Sequence, residues 1–137
     1  MKIESRIGKS SSSDIEIYEF ITDFNNFRDL LPDDKVTDWE SSGDRCSFRV
    51  DPVGRTGLQI VDREPHKLVK IASDPERSNY QFTIWIQLKQ VAEKDTRVKI
   101  TIEPHVNMMV MQMVKGPLKN FVDGLMDKIE TFHFGSR

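Results

Sequence analysis

From residue 80 onward the chain alternates apolar and polar positions, and then the period changes from two to about 3.6. Tyr80, Phe82, Ile84, Ile86 and Leu88 fall on one side of an extended segment, and Gln81, Thr83, Trp85 and Gln87 fall on the other. This is the signature of a half-buried strand. A second strand over Arg97–Glu103 joins it around Glu93-Lys94-Asp95. A long helix then runs from an Asn107 N-cap to Phe132, about 39 Å at 1.5 Å per residue. Its second half carries the apolar stripe Leu118, Phe121, Val122, Leu125, Met126 and Ile129. Its first half is apolar nearly all round, and Pro117 between the halves removes the hydrogen bond to the Met113 carbonyl, which predicts a kink.

The N-terminal half follows the same logic. Residues 2–9 alternate, with Ile3, Ser5 and Ile7 expected on one side. Ser13 and Glu16 have capping-box spacing, so a helix is predicted from Asp14, burying Ile17, Phe20, Ile21 and Phe24. Asn25 and Asn26 are expected to interrupt it. A second short helix with Phe27, Leu30 and Leu31 must end before Pro32, since the residue before proline avoids helical backbone. Short strands follow over Lys35–Glu40, with Val36 and Trp39 inward, and over Arg45–Val50, with Cys46, Phe48 and Val50 inward. A turn at Asp51-Pro52-Val53-Gly54 leads into Thr56–Glu64 with Leu58, Ile60 and Val61. Glu64-Pro65-His66-Lys67 turns the chain into Leu68–Ser73, and Asp74–Asn79 is a polar loop. The expectation is an α+β fold with an antiparallel sheet of six or seven strands, since the connections are short.

Composition narrows the function classes. With 137 residues the chain is expected to form one domain spanning 1–137. A formal net charge of −2, from twenty Lys and Arg among twenty-two acids, offers no basic surface for nucleic acid. The longest apolar run is four residues, Met108 to Met111, so no membrane span is expected. Residues 1–9 do not read as a signal peptide, and a cytoplasmic location is expected. The single cysteine, Cys46, excludes an internal disulfide and alternates with Phe48 and Val50 as a buried thiol would. His66, His105 and His133 lack metal-ligand spacing, and neither a phosphate-binding glycine loop nor a nucleophile elbow is present; no metal and no cofactor are expected. The carboxylates Asp33 and Asp34 read as a loop, and Asp62, Arg63 and Glu64 as a strand end whose charges form an ion pair at a rim.

Three segments carry a resemblance to a known family. They are YEFITDFNNFRDLLP at residues 18–32, GRTGLQIVDREP at 54–65, and NMMVMQMVKGPLKNFVDGLMDKI at 107–129. In pattern and order the chain resembles the SRPBCC or START-like superfamily, which includes the birch-pollen-allergen family, polyketide cyclases and coenzyme-Q-binding proteins. That resemblance implies a helix-grip fold, in which a curved sheet wraps around the C-terminal helix and leaves a cavity between them. It implies a partner that is a small hydrophobic or amphipathic molecule, lipid-like or quinone-like. The wall expected on that reading comprises Phe48, Leu58, Ile60, Phe82, Ile84, Ile86, Val98, Ile100 and Ile102 from the sheet. Met109, Met113, Phe121 and Leu125 would come from the long helix, Phe24, Phe27 and Leu31 from the short helices, and His105 would be a polar contact. Thioether side chains suit such a wall because they adapt to irregular shapes.

Two other readings stay open. Cyclase- or dehydratase-type catalysis would need at least two ionisable groups facing the cavity, such as Asp62 or His105. A protein-interaction domain like the superfamily's Hsp90-activator relatives, or a homodimer, would use the apolar surface of Met108–Val114.

Overall fold

A computed structural model describes residues 1–31, 34–51 and 53–135. The strands are β1 (Ile3–Glu4), β2 (Gly8–Ser10), β3 (Val36–Ser41), β4 (Arg45–Val50), β5 (Gly54–Glu64), β6 (Leu68–Ser73), β7 (Phe82–Ala92) and β8 (Asp95–Pro104). Helices α1 (Asp14–Ile21) and α2 (Phe24–Phe27), with a 3₁₀ turn at Arg28–Leu30, sit between β2 and β3, and α3 (Met108–Thr131) follows β8. The sheet is antiparallel in the order β1-β8-β7-β6-β5-β4-β3, with β2 also pairing to β8.

The described sheet therefore has eight strands, where six or seven were expected, because the first predicted strand is split. Ile3 pairs with Ile102 and Glu4 with Thr101, whereas Gly8 pairs with Val98. One extra residue has entered the first strand between those pairings, and such an insertion flips the side of every residue after it. Ser5 bridges the break: its amide donates to the Ile100 carbonyl at 2.8 Å and its hydroxyl accepts from the Ile100 amide at 2.9 Å. Ile7, expected beside Ile3, is consequently 66% exposed, and Gly8 is buried in its place.

The same device recurs along the sheet. A register shift between Thr37 and Glu40 places both Val36, which is buried, and Trp39 toward the core although they are three residues apart. Trp39 stacks on Phe48 with ring centroids 5.6 Å apart. Further shifts fall between Ile60 and Asp62 and between Gln90 and Ala92, where Val61 and Val91 are exposed, on the side opposite buried Ile60 and Leu88. Bulges increase local twist and bend the strands that carry them.

Local chemistry sets the helix ends. The Ser13 hydroxyl accepts from the Glu16 amide at 3.1 Å, and Glu16 accepts from the Ser13 amide at 2.9 Å, the predicted capping box. The break between α1 and α2 falls at Thr22 and Asp23 rather than at the asparagines. The Asp23 carboxylate accepts from the Asn25 amide at 2.9 Å, so Asn25 and Asn26 lie inside α2. Leu31 adopts an extended backbone after the 3₁₀ turn. The expectations resting on Pro32, Asp33 and Pro52 fall outside the described residues. Asn107 caps α3 by accepting from the Val110 amide at 2.9 Å, and the helix runs on through Pro117.

Candidate functional site

The core lies between the inner face of the sheet, the short helices and the C-terminal half of α3, with Phe20, Phe24, Ile86, Ile100, Met126 and Ile129 among its buried side chains. Toward the N-terminal half of α3 the packing opens into a cavity. Its wall takes Phe48 from β4, Leu58 from β5, Ile71 from β6, Phe82, Ile84 and Ile86 from β7, and Ile102 and Pro104 from β8. Val106 precedes α3, which adds Val114, Pro117, Leu118, Phe121 and Leu125 on one helix face. Phe27 closes one end, and Val50, Val53 and Tyr80 surround the mouth. The centre of a water-sized sphere has about 70 Å³ in which to move. That is several times the roughly 10–15 Å³ a single water needs.

Polar atoms in this wall are few and mostly engaged. The Thr56 hydroxyl donates to the Gly54 carbonyl at 3.3 Å, and the Gln81 side-chain oxygen accepts from the Ser73 hydroxyl at 3.1 Å. Asp51 and Tyr80 are the ionisable groups among the described lining residues; Asp51 is 84% exposed at its side chain and lies 3.7 Å from Arg49. Cys46, buried beside Leu58, is no nucleophile: burial pushes its thiol up to about 12, so it stays protonated. No group of three or more metal-ligating side chains occurs among the described residues.

Of the residues expected at the site, Phe27, Phe48, Leu58, Phe82, Ile84, Ile86 and Phe121, with Ile102 and Leu125, come together on the cavity wall. Phe24, Ile60, Val98 and Ile100 are buried in the solid part of the core and do not reach it, and Phe24 packs edge-on against Phe27 at 5.4 Å. Leu31 borders a neighbouring groove instead.

Three expectations need correction. His105 is exposed and pairs with the Thr83 hydroxyl at 3.0 Å, on the opposite side of β7 from Phe82 and Ile84. The β8 alternation that turns Ile100, Ile102 and Pro104 inward sends the next residue outward. Met109 and Met113 are 77% and 64% exposed, and the inward residues of that half-helix are Met111 and Val114. The mistake is one of helix phase, since the first half is apolar on every side and has no stripe of its own. Counting from Leu118 toward the N-terminus by four and then by three reaches Val114 and Met111, so the second half carries the signal. Asp62, considered as a catalytic group, is exposed on the β5 bulge. Ile71 and Tyr80 also line the cavity, and their side follows from alternation with Val69 and Phe82.

No protein-family model matches the chain, and no curated protein does either. Solved structures do. Truncated norcoclaurine synthase from Thalictrum flavum superposes with a TM-score of 0.69 at 15% identity, covering 97% of this chain and 95% of that one. An Aha1 dimer from Colwellia psychrerythraea gives 0.63 at 20% identity, with 96% and 97% covered. A protein from Thermus thermophilus gives 0.68 at 15% identity, with 95% and 94% covered. Likeness at these identities speaks for the fold. Taken with the eight-stranded antiparallel sheet against a long C-terminal helix, it shows that this chain has the helix-grip fold.

Proposed function

We propose that this chain binds a small molecule by taking an apolar group into the cavity between the sheet and α3. The observation that carries this reading is an unfilled hollow whose wall is nearly all hydrocarbon, in a core otherwise closely packed. Protein interiors leave few voids larger than a water, and an apolar void gives water too few partners to settle there. A short hydrocarbon gains dispersion contacts with such a wall and loses no hydrogen bonds.

Methyl-labelled NMR tests it with toluene as probe. Toluene is expected to move the methyl signals of Ile71, Ile84, Ile86 and Ile102 while leaving Ile17 and Ile129 in place, and Leu118→Trp is expected to suppress the shifts. An unchanged spectrum at saturating toluene would sink the proposal.

A second reading, contact between two copies of the chain, is favoured by Met108, Met109 and Met113, which are each more than 60% exposed on the first turns of α3. Among structures of this fold, the Colwellia Aha1 was solved as a dimer. Three side chains fall well short of the roughly 800 Å² per partner of a standard interface, so the association would be weak. Light scattering across a concentration series tests it: a mass that rises with concentration and no longer does so in Met109→Asp supports the contact.

A further inference from the structure

Met108, Met109 and Met113 stand out chemically as well as by their exposure. Methionine is among the side chains most often buried, and a thioether in contact with solvent is open to oxidants that a packed one does not meet. The chain's six methionines divide accordingly. Met111 and Met126 are buried, whereas these three and Met1, which is 62% exposed, lie at the surface.

Helix geometry gathers the three into one face. At 3.6 residues per turn, Met108, Met109, Gln112, Met113 and Gly116 fall within about 140° of the circumference of α3, on the side opposite Met111 and Val114. All five are exposed. Gly116 adds no side chain, and a Cβ built on it would meet nothing within 4 Å, so the face is smooth there. No charged side chain lies between Glu103 and Lys115, in a chain of which 31% is charged. Two copies meeting at this face would therefore strip water from no ion. Of the five residues, Gln112 alone carries a side-chain hydrogen-bond donor.

A peroxide alters that balance in one step. The sulphur attacks the peroxide, an S–O bond forms as the O–O bond breaks, and the sulphur gives up two electrons. The departing oxygen takes up the proton and leaves as water, and the thioether has become a sulfoxide. The new oxygen is a strong acceptor on a face with almost no donor to meet it. Buried in a contact, such an acceptor costs its full desolvation. Between two like copies each sulfoxide counts twice.

We infer that the methionine face of α3 is a reversible oxidation site controlling contact between two copies of the chain. The thioethers permit the contact, and conversion of Met109 and Met113 to sulfoxides ends it. This rests on the self-contact reading above and adds to it the chemistry that regulates the contact. The oxidant is a peroxide, and sulfoxide reductases return the thioether.

Hydrogen peroxide treatment of the full chain tests it, followed by peptide mass spectrometry and by light scattering across a concentration series. Met108, Met109 and Met113 are expected to gain oxygen at least about tenfold faster than Met111 and Met126, because oxidation follows exposure. Self-association is expected to weaken at least about tenfold in the oxidised protein and to return after treatment with methionine sulfoxide reductases. Thermal melting confirms that the oxidised protein is folded. The triple variant Met108→Leu, Met109→Leu, Met113→Leu conserves the volume of the face, so it is expected to associate like the parent and to be indifferent to peroxide. It retains Met1, so any effect through that residue would persist in it. Undiminished association after the three methionines are oxidised, equal peroxide sensitivity of the leucine variant, or oxidation of Met111 as fast as Met109 would each overturn the inference while leaving the self-contact reading intact. A parent protein whose mass shows no rise with concentration before oxidation would remove both.

Discussion

Gly8 and Met126 are packed so closely that a Cβ on residue 8 would lie 2.2 Å from the Met126 sulphur, with the Glu130 Cγ at 3.2 Å. The bulge that turns Ile7 outward brings the backbone of β2 directly under α3, where no side chain fits. Gly8→Ala is therefore expected to destabilise the fold by about 1–3 kcal/mol, as overpacking does. Adding Met126→Ala should give a double variant less damaged than the two single losses summed. Urea denaturation of the four proteins in this cycle measures the coupling.

A cluster of charges fastens the same corner. The Arg6 guanidinium bonds both Asp127, at 2.5 Å, and Glu130, whose carboxylate also accepts from the Lys9 amide at 3.2 Å. The bond from Arg6, helped by the Lys9 amide, holds the Glu130 carboxyl below its ordinary 4.5. A depressed folded-state value means this contribution is complete above about 4.5 and is lost as pH falls through the folded value. Urea midpoints between pH 7 and pH 3 should fall less steeply in Arg6→Gln than in the parent protein; parallel curves would exclude the linkage.

Cys46 responds at the opposite end of the pH scale. Burial pushes its thiol from 9.0 up to about 12. Here the folded-state value is raised, so the stabilisation is whole below about 9 and declines as pH rises from there toward 12, where the unfolded chain ionises first. At pH 8 the thiol is expected to react with a disulfide reagent only as fast as the protein opens, and labelling should accelerate steeply across the urea transition. Rapid labelling of the native protein would contradict this.

The methionines of α3 divide by face. Met111 is 5% exposed and Met109 is 77% exposed. Met111→Ala should cost about 2–5 kcal/mol, the range for emptying a core site. Met109→Ala should stay within about 0.5 kcal/mol, as for surface substitutions without special contacts. Chemical denaturation of the two variants compares them directly, and equal losses would mean that the helix is rotated from the orientation described.

Much of the site was legible where the pattern is local and strong. Alternation put Phe82, Ile84 and Ile86 on one side of β7, and short antiparallel connections carried the same parity into Phe48, Leu58 and Ile102, all of which meet at the cavity. The capping box at Ser13 and the Asn107 cap were readable because each involves residues three apart in sequence. Legibility failed where a partner supplies the missing information. Whether Ile7 points in or out depends on its register against β8. Which methionines of α3 face the sheet depends on how the helix rolls as it lands, and an all-round apolar segment leaves that choice to its neighbours.

Spacing of apolar and polar residues, caps and turn residues were enough to specify the elements, their order and the buried parity of the longer strands. These properties arise within a few residues, where backbone geometry ties neighbouring side chains to known directions. The bulges, the roll of α3 and the void left between Ile84 and Val114 emerged from packing between segments far apart in the chain. Volume is the reason: whether facing side chains fill a space or leave it empty is a property of the whole set of surfaces that meet there.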